Sequence, residues 1–253
     1  MLPEIDVGPL TLQSFGLIFA LAFVGCGLMA GRRLIELGKP VDWAYEAVFA
    51  ALVGGLVGAR LHWIAEHWSE VEGDLLGGIF SGSGLVFFGG LAGGAAGVLL
   101  WAWRRDFLGL ELLDLGAPAI ALGYAIGRIG CQISGDGDYG TASDLPWAMA
   151  YPDGTVPTTE EVHPTPIYET LAMGVVAWGL WRLRGRLAPG LLLALYMVAA
   201  GAERALVELI RRNEAVVAGM TQPQLTALAM LVAGVTWLAL AARRGPLRLR
   251  AAP

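Results

Sequence analysis

Arg128 lies near the end of an apolar run and is followed by a glycine-rich acidic loop, in the stretch GYAIGRIGCQISGDGDYG (residues 123–140). An arginine at membrane depth costs about 2.5–3.5 kcal/mol on insertion scales, so it needs a partner. Its planar fork matches a phosphate or a carboxylate, and the adjacent Gly127 leaves room for a bulky head group. Two interpretations stay open: contact with a lipid phosphate, or an ion pair with Asp136 or Asp138.

A second arginine within an apolar run, Arg204, has an acid one helical turn away. Glu208 at i,i+4 offers it a simple ion pair, and Arg211 and Arg212 further along can sit at a membrane interface. The alternative is that Arg204 joins Arg128 in holding the same anion. We expect the anion site rather than the simple pair for Arg204.

The three histidines, His62, His67 and His163, are candidates for acid–base or metal chemistry. His62 and His67 are five residues apart, which is a poor spacing for one helical face, so a metal site between them is not expected. His163 opens the element HPTPIYE (163–169) and is either a helix-entry residue or a general base.

The loop SGDGDYG (134–140) resembles the start of a calcium loop, but Gly140 falls where another ligand would be needed. We therefore predict a tight turn that aims Asp136 inward, with no metal ion and no cofactor. Cys131 lies beside Arg128 and Cys26 within an apolar run, so the pair does not indicate a disulfide framework.

The composition indicates the class of protein in which these residues lie. Of 253 residues, 56% are hydrophobic and 15% charged, which leaves too little polar surface for a soluble globule and predicts an integral membrane protein. The 36 glycines favour close helix packing in lipid. Nucleic acid is not an expected partner.

Hydropathy predicts an all-α fold of seven transmembrane helices in a single membrane domain over residues 1–253. The predicted spans are about 10–31, 43–65, 83–103, 111–131, 165–182, 189–210 and 222–242. Twelve of the 17 basic residues follow the first, third, fifth and seventh spans, so these ends are expected in the cytoplasm. The N-terminus is then outside, the C-terminus is cytoplasmic, and the acidic segment 132–164 forms a small extracytoplasmic cap. The first apolar run is long enough to span, and we expect it to remain in the mature protein.

The five remaining basic residues share one location in this topology. All fall toward the outer half or outer end of the second, fourth and sixth spans: Arg60, Arg128, Arg204, Arg211 and Arg212. This clustering predicts an anion site at the outer face, and a phospholipid head group is the natural ligand there.

The stretch GRIGCQISGDGDYG (127–140) resembles the signature of the prolipoprotein diacylglyceryl transferase family. Gly127, Arg128 and Gly130 match it, Asp136 stands where the family has a glutamate, and Gly140 closes the motif one residue late. Further stretches are similar to family elements in the same order, so the resemblance covers most of the chain. They are GARLHW (58–63), LLDLGAPAIALGYAIGR (112–128), HPTPIYE (163–169), GAERALVELIRR (201–212) and GMTQPQL (219–225).

The resemblance implies an enzyme of the bacterial cytoplasmic (inner) membrane whose active site faces the periplasm. It implies transfer of a diacylglyceryl group from phosphatidylglycerol to the lipobox cysteine of a prolipoprotein signal peptide. Membrane lipid is a further expected partner of the protein. The residues expected to act in catalysis are Arg128, Arg204, His163 and Asp136. Those expected to bind substrate are Arg60, Gly127, Gly135, Gly140, Tyr168, Glu169, Glu208 and Arg211.

Some positions depart from the family pattern. Phe88 stands where the family has the histidine usually implicated in catalysis, and Cys131 and Ser134 stand where it has asparagines. Candidates for the base are therefore His163, His62 and Asp136, and His163 leads because the family pattern retains it. Cys131 as the nucleophile of a covalent intermediate is a further, weaker alternative.

Two rival functions fit parts of the sequence. A diverged relative could bind phospholipid or modify a different acceptor, with or without catalysis. A transporter or light-driven pump would also carry membrane arginines and acids. A retinal Schiff base is excluded because the sole lysine, Lys39, lies in a cytoplasmic loop, and transport is disfavoured because the charges collect at one face.

Overall fold

The computed structural model describes residues 1–73, 84 and 86–247. It has a long helix in each of the seven intervals predicted to span. These are α1 (Ser14–Glu36), α2 (Asp42–Glu66), α4 (Phe87–Arg104), α5 (Leu110–Ser134), α6 (Thr165–Leu183), α7 (Leu191–Val207) and α8 (Gln222–Arg244), with a short α3 (Trp68–Val71) after α2. Residues 83 and 85 of the third predicted span, together with Asp74, Arg248 and Arg250, lie outside the described residues.

Four of the described helices, α1, α2, α5 and α8, are long and apolar enough to cross a bilayer. Each has at least 23 residues, against the roughly 20 that a hydrocarbon core requires. The protein is therefore a mostly helical, multi-pass membrane protein. Seven spans and their orientation stay predictions.

Short strands add three two-stranded antiparallel hairpins to the helices within the described residues. Their strands are β1 (Glu4–Val7) with β2 (Leu10–Gln13), β3 (Met149–Tyr151) with β4 (Thr158–Val162), and β5 (Ala215–Val217) with β6 (Met220–Thr221). The middle hairpin lies in the predicted cap, but none of the three strand pairs was predicted from the sequence.

The chain folds as two compact units, residues 30–112 and residues 1–29 with 113–253. The first unit is built on α2 and α4, which meet through glycines spaced four apart: Gly54 and Gly58 on α2, and Gly89, Gly93 and Gly97 on α4. A Cβ atom on Gly93 would overlap the carbonyl oxygen of Gly54 and lie 2.7 Å from the α-carbon of Gly58. The lack of side chains at these positions thus allows the two backbones to touch, as in other membrane helix pairs.

The second unit has a core where α5, α6 and α7 meet. Small residues on α5 pack with alanines and larger apolar residues of the other two helices; the buried members are Ala117, Ala121, Ala125, Met173, Ala177, Leu180, Leu192 and Ala200. Asp114 of α5 secures the start of α7, because its carboxylate accepts N–H bonds from Gly190 (2.8 Å) and Leu192 (3.0 Å). A negative charge is favoured there by the orphan N–H groups and the helix dipole.

All three hairpins lie at the opposite end of this second unit from the Asp114 cap. Leu2 N–H donates to Ile133 O near the end of α5 (3.0 Å), and Thr141 N–H donates to Ile210 O just after α7 (2.8 Å). The side chain of Thr221 at the start of α8 donates to Glu208 (2.6 Å). The ends of α5 and α7 and the starts of α1, α6 and α8 are therefore held together by polar segments.

Candidate active site

Glu169 is the centre of the polar cluster at this end of the unit. It lies in the second turn of α6 and is fully buried. Its Oε1 accepts from the Tyr124 hydroxyl (2.8 Å) and from Arg204 Nη1 (3.0 Å). Its Oε2 is ion-paired with Arg128 and lies 3.8 Å from Arg211 Nη1. One carboxylate thus meets three guanidinium groups.

Asp138, in the loop after α5, is the second carboxylate of the cluster. It forms ion pairs with Arg128 and Arg211, and its backbone carbonyl accepts from Arg211 and from the Thr165 hydroxyl. Of the two partners that the sequence offered to Arg128, the structure selects Asp138. Asp136 instead accepts the backbone N–H of Asp138 (3.2 Å), which closes a tight turn.

Glu208 is the third carboxylate and the i,i+4 partner that the sequence offered to Arg204 as an alternative, and it meets Arg204 at 2.8 Å. It also accepts from Asn213 (2.8 Å) and Thr221 (2.6 Å), so it ties the last hairpin to the end of α7. Arg204 therefore has both the simple helical pair and a place in the larger cluster. Three arginines face three carboxylates, and this set is neutral as a whole, as buried charges require.

Arg128 retains donor capacity within this network. Its side chain is buried, yet its Nε and Nη2 atoms make no hydrogen bond of good geometry within the described part of the chain, and neither does Glu169 Oε2. The Nη2–Glu169 contact is therefore an ion pair without a well-directed hydrogen bond. Buried N–H groups in this state are costly unless a further acceptor satisfies them.

Glycines of the predicted site contribute in three different ways. A Cβ atom on Gly127 would meet no other atom within 4 Å among the described residues, so the space beside the Gly127 backbone is open. On Gly140 it would lie 2.6 Å from Ile210 O and 2.9 Å from His163 Cβ, so Gly140 permits the contact between the cap and α7. Gly135 has φ +60°, a left-handed conformation that the turn after α5 requires.

His163 and Tyr168 lie beside each other at the start of α6. The Nδ1 atom of His163 is 3.4 Å from the Tyr168 hydroxyl, which in turn accepts from the exposed Trp147 indole (2.7 Å). The backbone of His163 is fixed by Gly140 N–H (2.8 Å) and by Thr141 O (3.0 Å). His163 is thus a well-positioned entry residue of α6 whose ring has a phenol as neighbour.

The donor atoms of Cys131, Asp136 and Asp138 lie within 4.8 Å of one another, a spacing suited to a metal ion. However, Asp138 is already ion-paired with two guanidinium groups, which repel a cation.

Cys131 lies 3.5 Å from Arg128 Nη1. Since a thioether is a poor leaving group, alkylation of Cys131 would leave the protein permanently modified, and this argues against a covalent intermediate there.

Arg60, Phe88 and His62 belong to the first unit. Arg60 is buried, donates to Gly84 O (3.0 Å) and stacks on the Trp63 ring at 4.4 Å. His62 lies 3.4 Å from Glu66. A substrate role for Arg60 stays a prediction.

Sequence reasoning did not single out Tyr124, which belongs to the cluster, or Glu203, which lies next to Arg204. Tyr124 donates to Glu169, but a tyrosine in an apolar helix has no distinctive sequence signal. Glu203 precedes Arg204 in α7, and an acid inside an apolar run was a signal that could have drawn attention to it.

The pKa of Asp138 provides a test of this network outside the helices. Burial alone would raise the pKa of this carboxyl, but Arg128 and Arg211 outweigh it and hold the pKa below its ordinary value. Asp138 therefore stabilises the fold above its unfolded pKa of about 3.9, and this contribution is lost as the pH falls through the lower, folded pKa.

We expect Asp138→Asn to lower the melting temperature at pH 7 and equally at pH 5, with the gap to wild type closing below about pH 4. Thermal unfolding of the detergent-solubilised protein across this range measures it. Asp144→Asn, at an exposed cap residue, should show no gap at any pH. A gap for Asp138→Asn that persists unchanged at pH 3 would contradict the assigned ion pairs.

Fold and site together define a class of protein: a multi-pass helical membrane protein with a buried arginine–carboxylate cluster at one end of a helical unit. Residues 4–240 match the family described as prolipoprotein diacylglyceryl transferase. The chain belongs to this family, as the sequence motifs predicted.

Three relatives, each named phosphatidylglycerol–prolipoprotein diacylglyceryl transferase, illustrate the similarity. The protein of Chromohalobacter salexigens is 33% identical over 96% of this chain and 95% of its own length. That of Rhodospirillum centenum is 32% identical over 98% and 94%, and that of Bordetella avium 31% over 94% and 93%. The similarity therefore extends along nearly the whole of each protein.

Proposed function

We propose that this protein transfers the diacylglyceryl group of phosphatidylglycerol to the thiol of the lipobox cysteine in a prolipoprotein signal peptide. The observation that carries the proposal is the buried Arg128 guanidinium, whose Nε has no hydrogen-bond partner among the described residues and which lies in a cluster of three arginines. Membership of the family and the names of its relatives support the same activity.

The reaction forms one bond and breaks one. The cysteine sulfur attacks the glyceryl carbon that bears the phosphate, a C–S bond forms, and the C–O bond to the phosphate breaks. The electron pair of that bond goes to the departing oxygen, so that glycerol phosphate leaves with one more negative charge than the phosphodiester carried. The thiol proton passes to a base.

Arg128 and Arg204 have the chemistry to stabilise the departing group. Guanidinium forks bind phosphate oxygens in pairs, and their effect is greatest where water is excluded and charge develops in the transition state. The absence of a side chain at Gly127, directly before Arg128 in α5, leaves room for a head group beside the helix. Arg211, Glu169 and Glu208 would position these two groups.

The proposed topology has seven spans in the bacterial inner membrane, with the cluster facing the periplasm. It rests on the charges at the helix ends: the last turns of α1, α4, α6 and α8 all contain arginine, while the cap segment 132–164 has six acids and no lysine or arginine. The end of the second unit that contains the three hairpins would then be the outer end. This side is where a secreted precursor presents its lipobox cysteine.

Expression in cells depleted of their own transferase, with mass spectrometry of a reporter lipoprotein, tests the function. The wild-type protein should add the mass of one diacylglyceryl group to the reporter. Arg128→Ala should remove the addition, whereas Arg243→Ala at the far end of α8 should retain it. A well-expressed wild-type protein that leaves the reporter unmodified would refute the proposal and favour a diverged relative that binds lipid without this transfer.

A further inference from the structure

The sequence does not identify the residue that accepts the thiol proton, because Phe88 stands at the position where the family resemblance implies a histidine. Each of the three candidates from the sequence has a polar neighbour: His163 the Tyr168 hydroxyl, Asp136 the Asp138 N–H, and His62 the Glu66 carboxylate. The oxygens of Glu169, Asp138 and Glu208 face guanidinium groups. A carboxylate held in this way cannot take up a proton without releasing an arginine.

Glu203 differs from these carboxylates. Its Oε1 is buried and has no hydrogen-bond partner among the described residues. Three arginines and three carboxylates already balance each other, so Glu203 is an additional acid for which this set has no counter-charge. A buried carboxylate oxygen in this state needs an explanation, since such groups are costly and cluster at functional sites.

The helix places Glu203 toward the cluster. On α7, the residues one turn before and one turn after it, Ala200 and Val207, are both buried. Ala200 belongs to the core formed with α5 and α6, and Tyr196, two turns before Glu203, packs against the same core. Glu203 therefore continues the stripe that faces α5 and α6, at the end where Glu169 lies.

The electrostatic surroundings agree with this position. The carboxylate of Glu203 interacts with Glu169 of α6, with Arg128 of α5 and with Arg204 and Arg211 at the end of its own helix. The phenols of Tyr124 on α5 and Tyr196 on α7 interact with it too. Each of these groups belongs to the cluster or to the core beneath it.

We infer that Glu203 is a catalytic residue that accepts the proton of the acceptor cysteine as its sulfur attacks the glyceryl carbon. The S–H proton moves to the Glu203 carboxylate, the C–S bond forms, and the electron pair of the breaking C–O bond leaves on glycerol phosphate beside Arg128 and Arg204. Protonated Glu203 later returns its proton to solvent. The inference rests on the proposed function.

The test compares two acceptor peptides with the purified protein in phosphatidylglycerol vesicles: a lipobox peptide with cysteine and the same peptide with selenocysteine. A free thiol has a pKa of about 8.5 and needs a base at neutral pH, whereas a selenol is already ionised. Glu203→Gln should slow transfer to cysteine about 100-fold at pH 7 and leave transfer to selenocysteine near the wild-type rate. Its deficit with cysteine should shrink as the pH rises toward about 8.5, with the apparent KM for peptide little changed.

Two further variants complete the design. Glu214→Gln, at an exposed residue after α7, should match wild type with both peptides. Glu203→Asp keeps the carboxylate but shortens the side chain by one methylene. We expect its rate of transfer to the cysteine peptide to fall about 10-fold and its rate with the selenocysteine peptide to stay near wild type. It serves as the test variant if the glutamine protein does not fold.

Equal losses with both peptides, or a loss that does not change with pH, would assign Glu203 a structural role and overturn the inference. A wild-type rate for Glu203→Gln with cysteine would overturn it as well. A wild-type protein inactive with both peptides would refute the proposed function itself and, with it, the role of Glu203.

Discussion

Glutamine in place of Glu169 is expected to lower the free energy of unfolding by about 3–5 kcal/mol, because it removes one partner from a buried ion-pair network. The side chain keeps its shape but loses its charge, so three arginines would face two carboxylates. Transfer activity should disappear with it, since Arg128 and Arg204 both take their position from Glu169. Denaturant unfolding in detergent and the transfer assay measure the two effects.

Glu160→Gln provides the matched control, because Glu160 is an exposed residue of β4. The same chemical change there should leave stability within about 0.5 kcal/mol of wild type. If Glu169→Gln were as stable and as active as wild type, the network around Glu169 would not organise the site.

The second large effect is expected in the first unit, for Gly93→Ala. The added methyl group would overlap the carbonyl oxygen of Gly54, which is backbone and cannot rotate away. The helices α2 and α4 must then separate, at a cost of about 3 kcal/mol or more, at the upper end of the range for overpacked sites. Thermal unfolding of the detergent-solubilised protein reports the loss.

Gly90→Ala on the same helix is the control. Its Cβ would lie 3.5 Å from Ala59 Cβ and from Gly55 O, which is ordinary contact. Alanine also favours the helix over glycine by up to about 1 kcal/mol, so this variant should be no less stable than wild type. Equal stability of the two variants would contradict the close approach of the backbones.

The positions of the seven long helices could be predicted because each is a continuous apolar run between charged or glycine- and proline-rich segments. Hydropathy reports composition along the chain and therefore locates helices well. The strands of all three hairpins were missed, since strands of two to five residues leave almost no periodic signal.

Within the site, the arginines were found because charge is rare in apolar helices. Glu208 could be named as the alternative partner of Arg204 because helical spacing is local, although the anion site was the role expected for Arg204. The partners of Arg128 could not be ranked in the same way, since Glu169 lies 41 residues further along the chain and meets Arg128 only once α5 and α6 have packed. Asp138 and Asp136 are also two residues apart in a turn, and only the folded loop decides which one reaches the guanidinium.

The neutral pairing of three arginines with three carboxylates has a consequence for how long the protein retains an anion. An incoming phosphodiester competes with internal carboxylates for the same guanidinium groups, so binding is an exchange of one anion for another and yields little net affinity. Weak capture suits a substrate that is itself a component of the surrounding bilayer, where tight ground-state binding gives no gain in rate. We expect short residence of both the lipid and glycerol phosphate, so that the internal carboxylates favour product release.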